Sequence, residues 1–294
     1  MAGSAQTVAQ WHARGTVRTV GGHDVFVIDE PAVRPEADPV LVLHGFPTSS
    51  YDWHHAFDVL RARRRVVLVD YPGYGLSAKP DRPYSLFGQA DVVEECVNSL
   101  GLSDVALVTH DVGDSIGGEL LARDVDGTLG FHVTQRVLTN GSIYMDLVQL
   151  SRGQQALLAL PDAALPPESR LNVDGIEAGL AATFAAESAV DPDELRAMAD
   201  LVARADGDRM LPRLIRYIEE RRVHERRWTG AIESHPAPLH VIWGDRDPIA
   251  VWPMAERLAQ ARPGTRIERL DGVGHYPMVE APARFNVVLA SALA

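Results

Sequence analysis

Four short apolar runs constrain the fold of this chain more than any other feature: Val40-Leu41-Val42-Leu43, Val66-Val67-Leu68-Val69, Val105-Ala106-Leu107-Val108 and Leu239-His240-Val241-Ile242-Trp243. They are apolar nearly throughout rather than alternating, so each is expected to be buried on both faces, as strands of a parallel sheet are. Each stops abruptly: the first at His44, the second at Asp70, the third at Thr109-His110-Asp111 and the fourth at Gly244-Asp245. Helical patterns at 50–60, 85–100, after Gly113 and at 252–261 separate the runs. Strand–helix alternation predicts an α/β fold with helices on both faces of the sheet. Chemistry in such sheets collects at the carboxyl ends of the strands, where His44, Asp70, Asp111 and Asp247 fall. Upstream, residues 17–20 and 25–28 read as an antiparallel hairpin turned by Gly21-Gly22.

The alternation breaks at about residue 144 and resumes at Pro238. The stretch between is rich in Ala, Leu, Arg and Glu, carries Pro161, Pro166-Pro167 and Pro192, and contains no comparable β-run. It reads as a helical lid (144–229) over the strand ends, splitting the core into 1–143 and 230–294. With 294 residues, 46% of them hydrophobic, such a unit needs no disulfide or metal to stabilise it, and the single cysteine, Cys96, could form no internal bridge. Forty acidic against 28 basic residues leave a net charge of −12, which disfavours nucleic acid and anionic membranes as partners. The first seventeen residues lack the apolar stretch of a signal peptide, and no run approaches the ~18 apolar residues of a membrane span. A cytoplasmic protein is expected; monomer and homodimer both stay open.

The segment VALVTHDVGDSIGG holds two overlapping candidates for a nucleophile. Gly113-Asp114-Ser115-Ile116-Gly117 matches G-x-S-x-G, the elbow of serine hydrolases. Thr109-His110-Asp111-Val112-Gly113 matches the same elbow with aspartate at its centre. The elbow must follow the strand directly, which favours Asp111; Ser115 lies a turn further, inside the next helix. Gly117 and Gly118 then serve close helix–sheet packing. A plain helix N-cap is the competing role for Asp111. Against it stands the rest of the constellation. His275 sits in the Gly-rich loop GVGHYP near the C-terminus, as a base would, and Asp247 is placed to hold its second ring nitrogen. Asp245 is the neighbouring alternative, read as a turn residue. The order nucleophile, acid, histidine is the one this elbow accompanies.

Taken together, HGFP (44–47), DYPGYGLS (70–77), THDVG (109–113), GDRDP (244–248) and GVGHYP (272–277) resemble the α/β-hydrolase superfamily over nearly the whole chain. The aspartate elbow resembles the epoxide hydrolase and haloalkane dehalogenase branch. LTNGSIY (138–144) and RYIEERRVHERRWTGA (216–231) look similar to its mesoderm-specific-transcript-like members. The resemblance implies an α/β-hydrolase fold with a helical lid, and an oxyanion hole made by the backbone N–H groups of Phe46 and Val112.

An ionised aspartate attacks without a base, but its attack on an ester carbonyl would give a high-energy anhydride. Its natural targets are sp³ carbons with a strained or good leaving group, which yield an alkyl ester on Asp111 that His275-activated water hydrolyses. That chemistry requires no cofactor and no metal, and its substrate would be a small apolar organic molecule. By resemblance, dehalogenases place Trp after the nucleophile and often Asn in the HGNP loop; here Val112 and Phe46 stand instead. Trp53 and Trp243 are read as packing residues. Epoxide hydrolases of this branch supply the leaving alkoxide with a proton from two lid tyrosines. Tyr217 stands about where the second belongs, and Tyr144 is the other candidate, although earlier than expected. Epoxide hydrolysis is therefore expected ahead of dehalogenation, with a Ser115 esterase and a non-catalytic binder as alternatives. Arg221, Arg222, Arg226 and Arg227 are read, with Glu219, Glu220 and Glu225, as paired charges on a solvated helix face.

Overall fold

Gly21 and Gly22 take φ of 57° and 74°, the left-handed pair that a two-residue hairpin turn demands. They join β1 (Thr16–Val20) to β2 (His23–Glu30). The computed structural model describes residues 3–294. Its further strands are β3 (Val40–Leu43), β4 (Val66–Val69), β5 (Asp104–His110), β6 (His132–Thr139), β7 (Leu239–Gly244) and β8 (Arg266–Leu270). Among the described residues these eight strands form one sheet, in the order β1-β2-β4-β3-β5-β6-β7-β8. β1–β2 and β2–β4 pair antiparallel and every other pair is parallel. β3 and β4 are buried along their whole length, as their apolar runs require.

The helices are α1 (Ser4–His12), α2 (Phe57–Arg61), α3 (Leu86–Ser99), α4 (Val112–Val125), α5 (Arg152–Leu158), α6 (Val173–Ala181), α7 (Pro192–Ala203), α8 (Gly207–Leu214), α9 (Tyr217–Ser234), α10 (Pro253–Ala261), α11 (Pro277–Glu280) and α12 (Pro282–Ala292). The helix expected at 50–60 is a 3-10 turn, Ser50–Trp53, followed by the short α2. Helices α5 to α9 fill the chain between β6 and β7. The boundary expected after residue 229 falls inside α9, one continuous helix whose Trp228, Thr229, Ala231 and Ile232 are all buried. Gly118 of α4 makes this possible: a Cβ there would lie 3.0 Å from Trp228 Cβ. Gly117 instead fits against the sheet, where a Cβ would meet Thr109 Cγ2 at 2.9 Å. Among the described residues no helix is long and apolar enough to cross a membrane.

β6 is an added element, and its apolar run is interrupted by a buried charge. Arg136 is 2% exposed and donates to the carbonyls of Ile232 at 2.8 Å, His235 at 3.0 Å and Ala237 at 2.9 Å. It thereby satisfies carbonyls left open where α9 ends. Arg136→Met should strand these acceptors and destabilise the fold by about 2–4 kcal/mol. Urea unfolding checks this; a midpoint equal to that of the unmodified chain would contradict it.

Candidate active site

Asp111 follows β5 directly and precedes α4, with φ 46° and ψ −110°, a conformation few non-glycine residues adopt. The turn lifts its carboxylate off the end of the strand. Glycine is required two residues on, since a Cβ on Gly113 would lie 2.8 Å from the Leu43 carbonyl oxygen. The Phe46 N–H donates to Asp111 Oδ2 at 2.9 Å, while the buried Oδ1 has no hydrogen-bond partner. Val112 begins α4, and its N–H is one of the amides a helix start leaves without an intrahelical acceptor.

His275 Nδ1 lies 2.7 Å from Asp247 Oδ2, and both residues are buried. Asp247 accepts three further bonds: from the N–H groups of Ile249 (2.7 Å) and Ala250 (3.0 Å), and from the Asn140 amide (2.8 Å). Four donors suit a negative charge and fix its orientation toward the imidazole. Burial alone would lower the His275 pKa. The charge and hydrogen bond of Asp247, with the charge of Asp111, outweigh burial and push it up to about 9. His110 contributes from the strand end: its Nε2 meets the His275 carbonyl oxygen at 2.8 Å, and burial together with the His275 charge pulls its own pKa down to about 3. A neutral His110 ring thus donates to the histidine loop. From the inserted helices, the Thr183 carbonyl accepts the His275 N–H at 3.1 Å.

Asn140 was not singled out from the sequence, although it lies within LTNGSIY. It takes φ 44° after β6, and its side-chain oxygen accepts the Gly244 N–H at 2.9 Å while its amide reaches Asp247. Asn140→Ala should lower kcat about 10–100-fold with little change in KM, the cost of one lost hydrogen bond to a charge that positions the base. A loss confined to KM would contradict this positioning role.

Ser115 points elsewhere: its Oγ accepts from Arg221 Nε at 2.7 Å. No histidine bonds it. Arg221 is accordingly buried rather than solvated, and its guanidinium lies 4.9 Å from the centre of the Tyr217 ring. That corrects the reading for Arg221, whereas Arg222, Arg226 and Arg227 are exposed as expected; the acids find other partners, since Glu219 pairs with Arg216, Glu220 accepts the Leu86 N–H and Glu225 the Met145 N–H. Arg227 does pair, with Glu119 at 2.7 Å. Asp245 is tied to Arg269 and the Gly272 N–H, as a turn residue would be. Asp70 holds the N–H groups of Ser50 and Leu76, and His44 stacks on Tyr71 at 4.2 Å. These two build the loops around the site.

The two tyrosine candidates separate. Tyr144 donates its hydroxyl to Glu233 at 2.7 Å under the Arg257 guanidinium, so its expected role as leaving-group donor is corrected: its proton is engaged outside the Asp111 constellation. Tyr217 is buried, and its ring centre is 5.3 Å from that of Phe46. Burial and then the Asp111 charge hold its hydroxyl well above the usual phenol range, which keeps it a neutral proton donor. Tyr74, inside DYPGYGLS and also missed, behaves the same way: burial first, then Tyr217 and Asp111, raise it. A signal was present in the second aromatic of that motif, but the motif alone does not say which way the ring faces. Trp243 donates its N–H to the Ala250 carbonyl at 2.9 Å, and Trp53 packs on Phe285.

A mostly parallel sheet, an aspartate on a strained strand–helix turn and a histidine–aspartate pair at the ends of β7 and β8 define the α/β-hydrolase architecture. The Alpha/beta hydrolase family model matches residues 40–288, and the chain belongs to that family. Among curated relatives, "Putative hydrolase LipZ" of Mycobacterium tuberculosis (strain ATCC 25618 / H37Rv) is 36% identical over 293 residues, covering 99% of each chain. The mesoderm-specific transcript protein of Mus musculus is 34% identical over 284 residues, covering 94% of this chain and 84% of its own. A haloalkane dehalogenase of Agrobacterium fabrum is 39% identical over 113 residues, 38% of this chain and 36% of its own. In fold the chain is similar to haloalkane dehalogenase DbeA from Bradyrhizobium elkani, with TM-score 0.76 at 21% identity, covering 95% of this chain and 97% of that one.

Proposed function

We propose that the chain hydrolyses a small apolar epoxide to a diol through a covalent ester on Asp111. The observation that carries this reading is the division of labour within one carboxylate: Oδ2 rests on the Phe46 N–H and Oδ1 has no partner. In this scheme Oδ1 attacks a ring carbon, the ring C–O bond breaks, and the alkoxide takes its proton from Tyr217. The other oxygen becomes the ester carbonyl, already seated in the oxyanion hole. Esterification also removes the Asp111 charge, one of the causes that raise the His275 pKa, so the imidazole releases its proton to solvent and becomes the base for the second step, taking a proton back from solvent once the free Asp111 carboxylate is restored. Water loses a proton to His275 Nε2 and adds to the carbonyl. The oxyanion is held by the N–H groups of Phe46 and Val112. Collapse expels the second alkoxide, which takes the His275 proton, and the proton left on the carboxyl returns through water to the Tyr217 phenolate.

An epoxide is favoured over a halide because a leaving halide needs N–H donors, Val112 offers no side-chain donor, the Trp243 N–H is bonded elsewhere, and the unpartnered Trp53 N–H belongs to a ring packed on Phe285. The test is turnover of matched terminal epoxides, bromoalkanes and aryl esters. Epoxides should give diols, and Tyr217→Phe should lower that rate on the order of 10²-fold or more while leaving any bromoalkane turnover unchanged. Halide release at a rate above diol formation, untouched by Tyr217→Phe, would put dehalogenation in its place.

A further inference from the structure

Where the lid meets the core, away from Asp111, three ligand-type side chains converge. Among the described residues, His54, His55 and Glu194 form the one group of three or more histidine, cysteine or acidic residues whose ligand atoms lie within 4.8 Å of one another. Both histidines follow the 3-10 turn Ser50–Trp53 in the core, whereas Glu194 lies in the first turn of α7, in the inserted helices. His54 Nε2 is 2.6 Å and His55 Nε2 2.8 Å from the same oxygen, Glu194 Oε1. That oxygen is buried and has no hydrogen-bond partner, although both imidazoles lie within ion-pair distance of it.

The remaining geometry bears on why. His54 Nδ1 lies 2.8 Å from the Tyr51 carbonyl oxygen, and the ring is stacked on Tyr51 at 4.2 Å with the planes 1° apart. A carbonyl accepts only, so Nδ1 carries the proton. In neutral His54 the Nε2 lone pair then faces a carboxylate oxygen, which is repulsive. Protonated imidazoles would ion-pair with Glu194; with the imidazoles neutral, two nitrogen lone pairs and a carboxylate oxygen converge as atoms that share a cation do. A metal-ligating histidine also typically donates its other ring N–H to a backbone carbonyl, as His54 does.

We propose that His54, His55 and Glu194 are a divalent-cation site of the zinc class that fastens α7 to the core. Two imidazoles and one carboxylate suit zinc, cobalt or nickel and exclude magnesium, which prefers oxygen ligands. The separations of 2.6 and 2.8 Å must open by about 0.5–0.7 Å to reach about 3.3 Å, the spacing of tetrahedral ligands about 2.0–2.1 Å from zinc. The His55 side chain is 37% exposed, which leaves a solvent side for a water as fourth ligand. The site is separate from the Asp111 chemistry, and its cation would act on the lid.

The test uses the full-length, tag-free chain stripped with chelator and titrated with zinc chloride or magnesium chloride. One zinc per chain should bind with micromolar or tighter Kd, magnesium should not compete, and zinc should raise Tm. Glu194→Gln and His55→Gln should each weaken binding about tenfold or more. X-ray absorption of the zinc-loaded unmodified chain should give two imidazoles in the first shell, and this reading does not depend on the variants folding. Stoichiometric zinc that survives both substitutions, a first shell without imidazole, or no binding at all would overturn the site.

Discussion

Asp111→Asn should remove activity, by on the order of 10⁴-fold in kcat, with every substrate the enzyme turns over, and Ser115→Ala should retain most of it. The amide of Asn is a far poorer nucleophile than a carboxylate, while its oxygen can still accept the Phe46 N–H, so the fold and the elbow should survive. Ser115 is held by Arg221 and has no histidine to activate it, so its loss removes one hydrogen bond and no chemistry. The Asn variant carries a second expected result. Asp111 is one of the charges that raise His275, so the imidazole titration midpoint should fall from about 9 when that charge is removed. Nitrogen-15 NMR of the ring gives the midpoint directly; an unchanged value would show that the two side chains do not face each other electrostatically.

His275→Gln should separate the two halves of the reaction. Attack by Asp111 needs no base and should proceed, whereas hydrolysis of the ester should slow on the order of 10³-fold. A burst of one equivalent would be followed by near silence, with the substrate's mass added to the peptide containing Asp111. In the unmodified chain the same argument gives a pH dependence. His275 must be neutral to act as base, and the ester state has lost a charge that favours the imidazolium. The pKa governing ester hydrolysis should therefore lie below the value near 9 in the free enzyme. For stability the sign is opposite in consequence. The folded pKa lies above the ordinary 6.5, so the stabilisation is complete below pH 6.5 and is lost as pH rises through about 9. Chemical denaturation at pH 6 and pH 9.5 should show the lower midpoint at the higher pH, and an equal or rising midpoint would contradict it.

Strands buried on both faces announce themselves in one dimension, and so β3, β4, β5 and β7 were legible as runs. β6 was not, because Arg136 turns sideways to cap α9 and its partners lie about a hundred residues away in sequence. β8, Arg-Ile-Glu-Arg-Leu at the sheet's edge, is mostly polar and offers no run. In the site, Asp111, Asp247 and His275 stand in motifs whose glycines report tight turns, and those turns place them at the carboxyl ends of β5, β7 and β8 on the same edge of the sheet. Asn140, Arg221 and Tyr74 contribute through the direction of a side chain, which spacing does not encode. The inserted helices were legible as helices, but their faces were not. Tyr144 and Tyr217 were both candidates, and only the structure shows that the Tyr144 hydroxyl is donated to Glu233 while the Tyr217 ring is buried beside Phe46.

In the proposed reaction an oxygen of Asp111 becomes bonded to substrate. A single turnover in H₂¹⁸O with enzyme in excess, followed by mass spectrometry of the Asp111 peptide and of the product, tests it most directly. The account predicts one ¹⁸O in the Asp111 carboxylate and none in the diol, because water adds to the ester carbonyl and the product leaves with the aspartate's original oxygen. Label in the product with an unlabelled Asp111 would mean that water attacks the substrate itself, and would contradict the covalent mechanism.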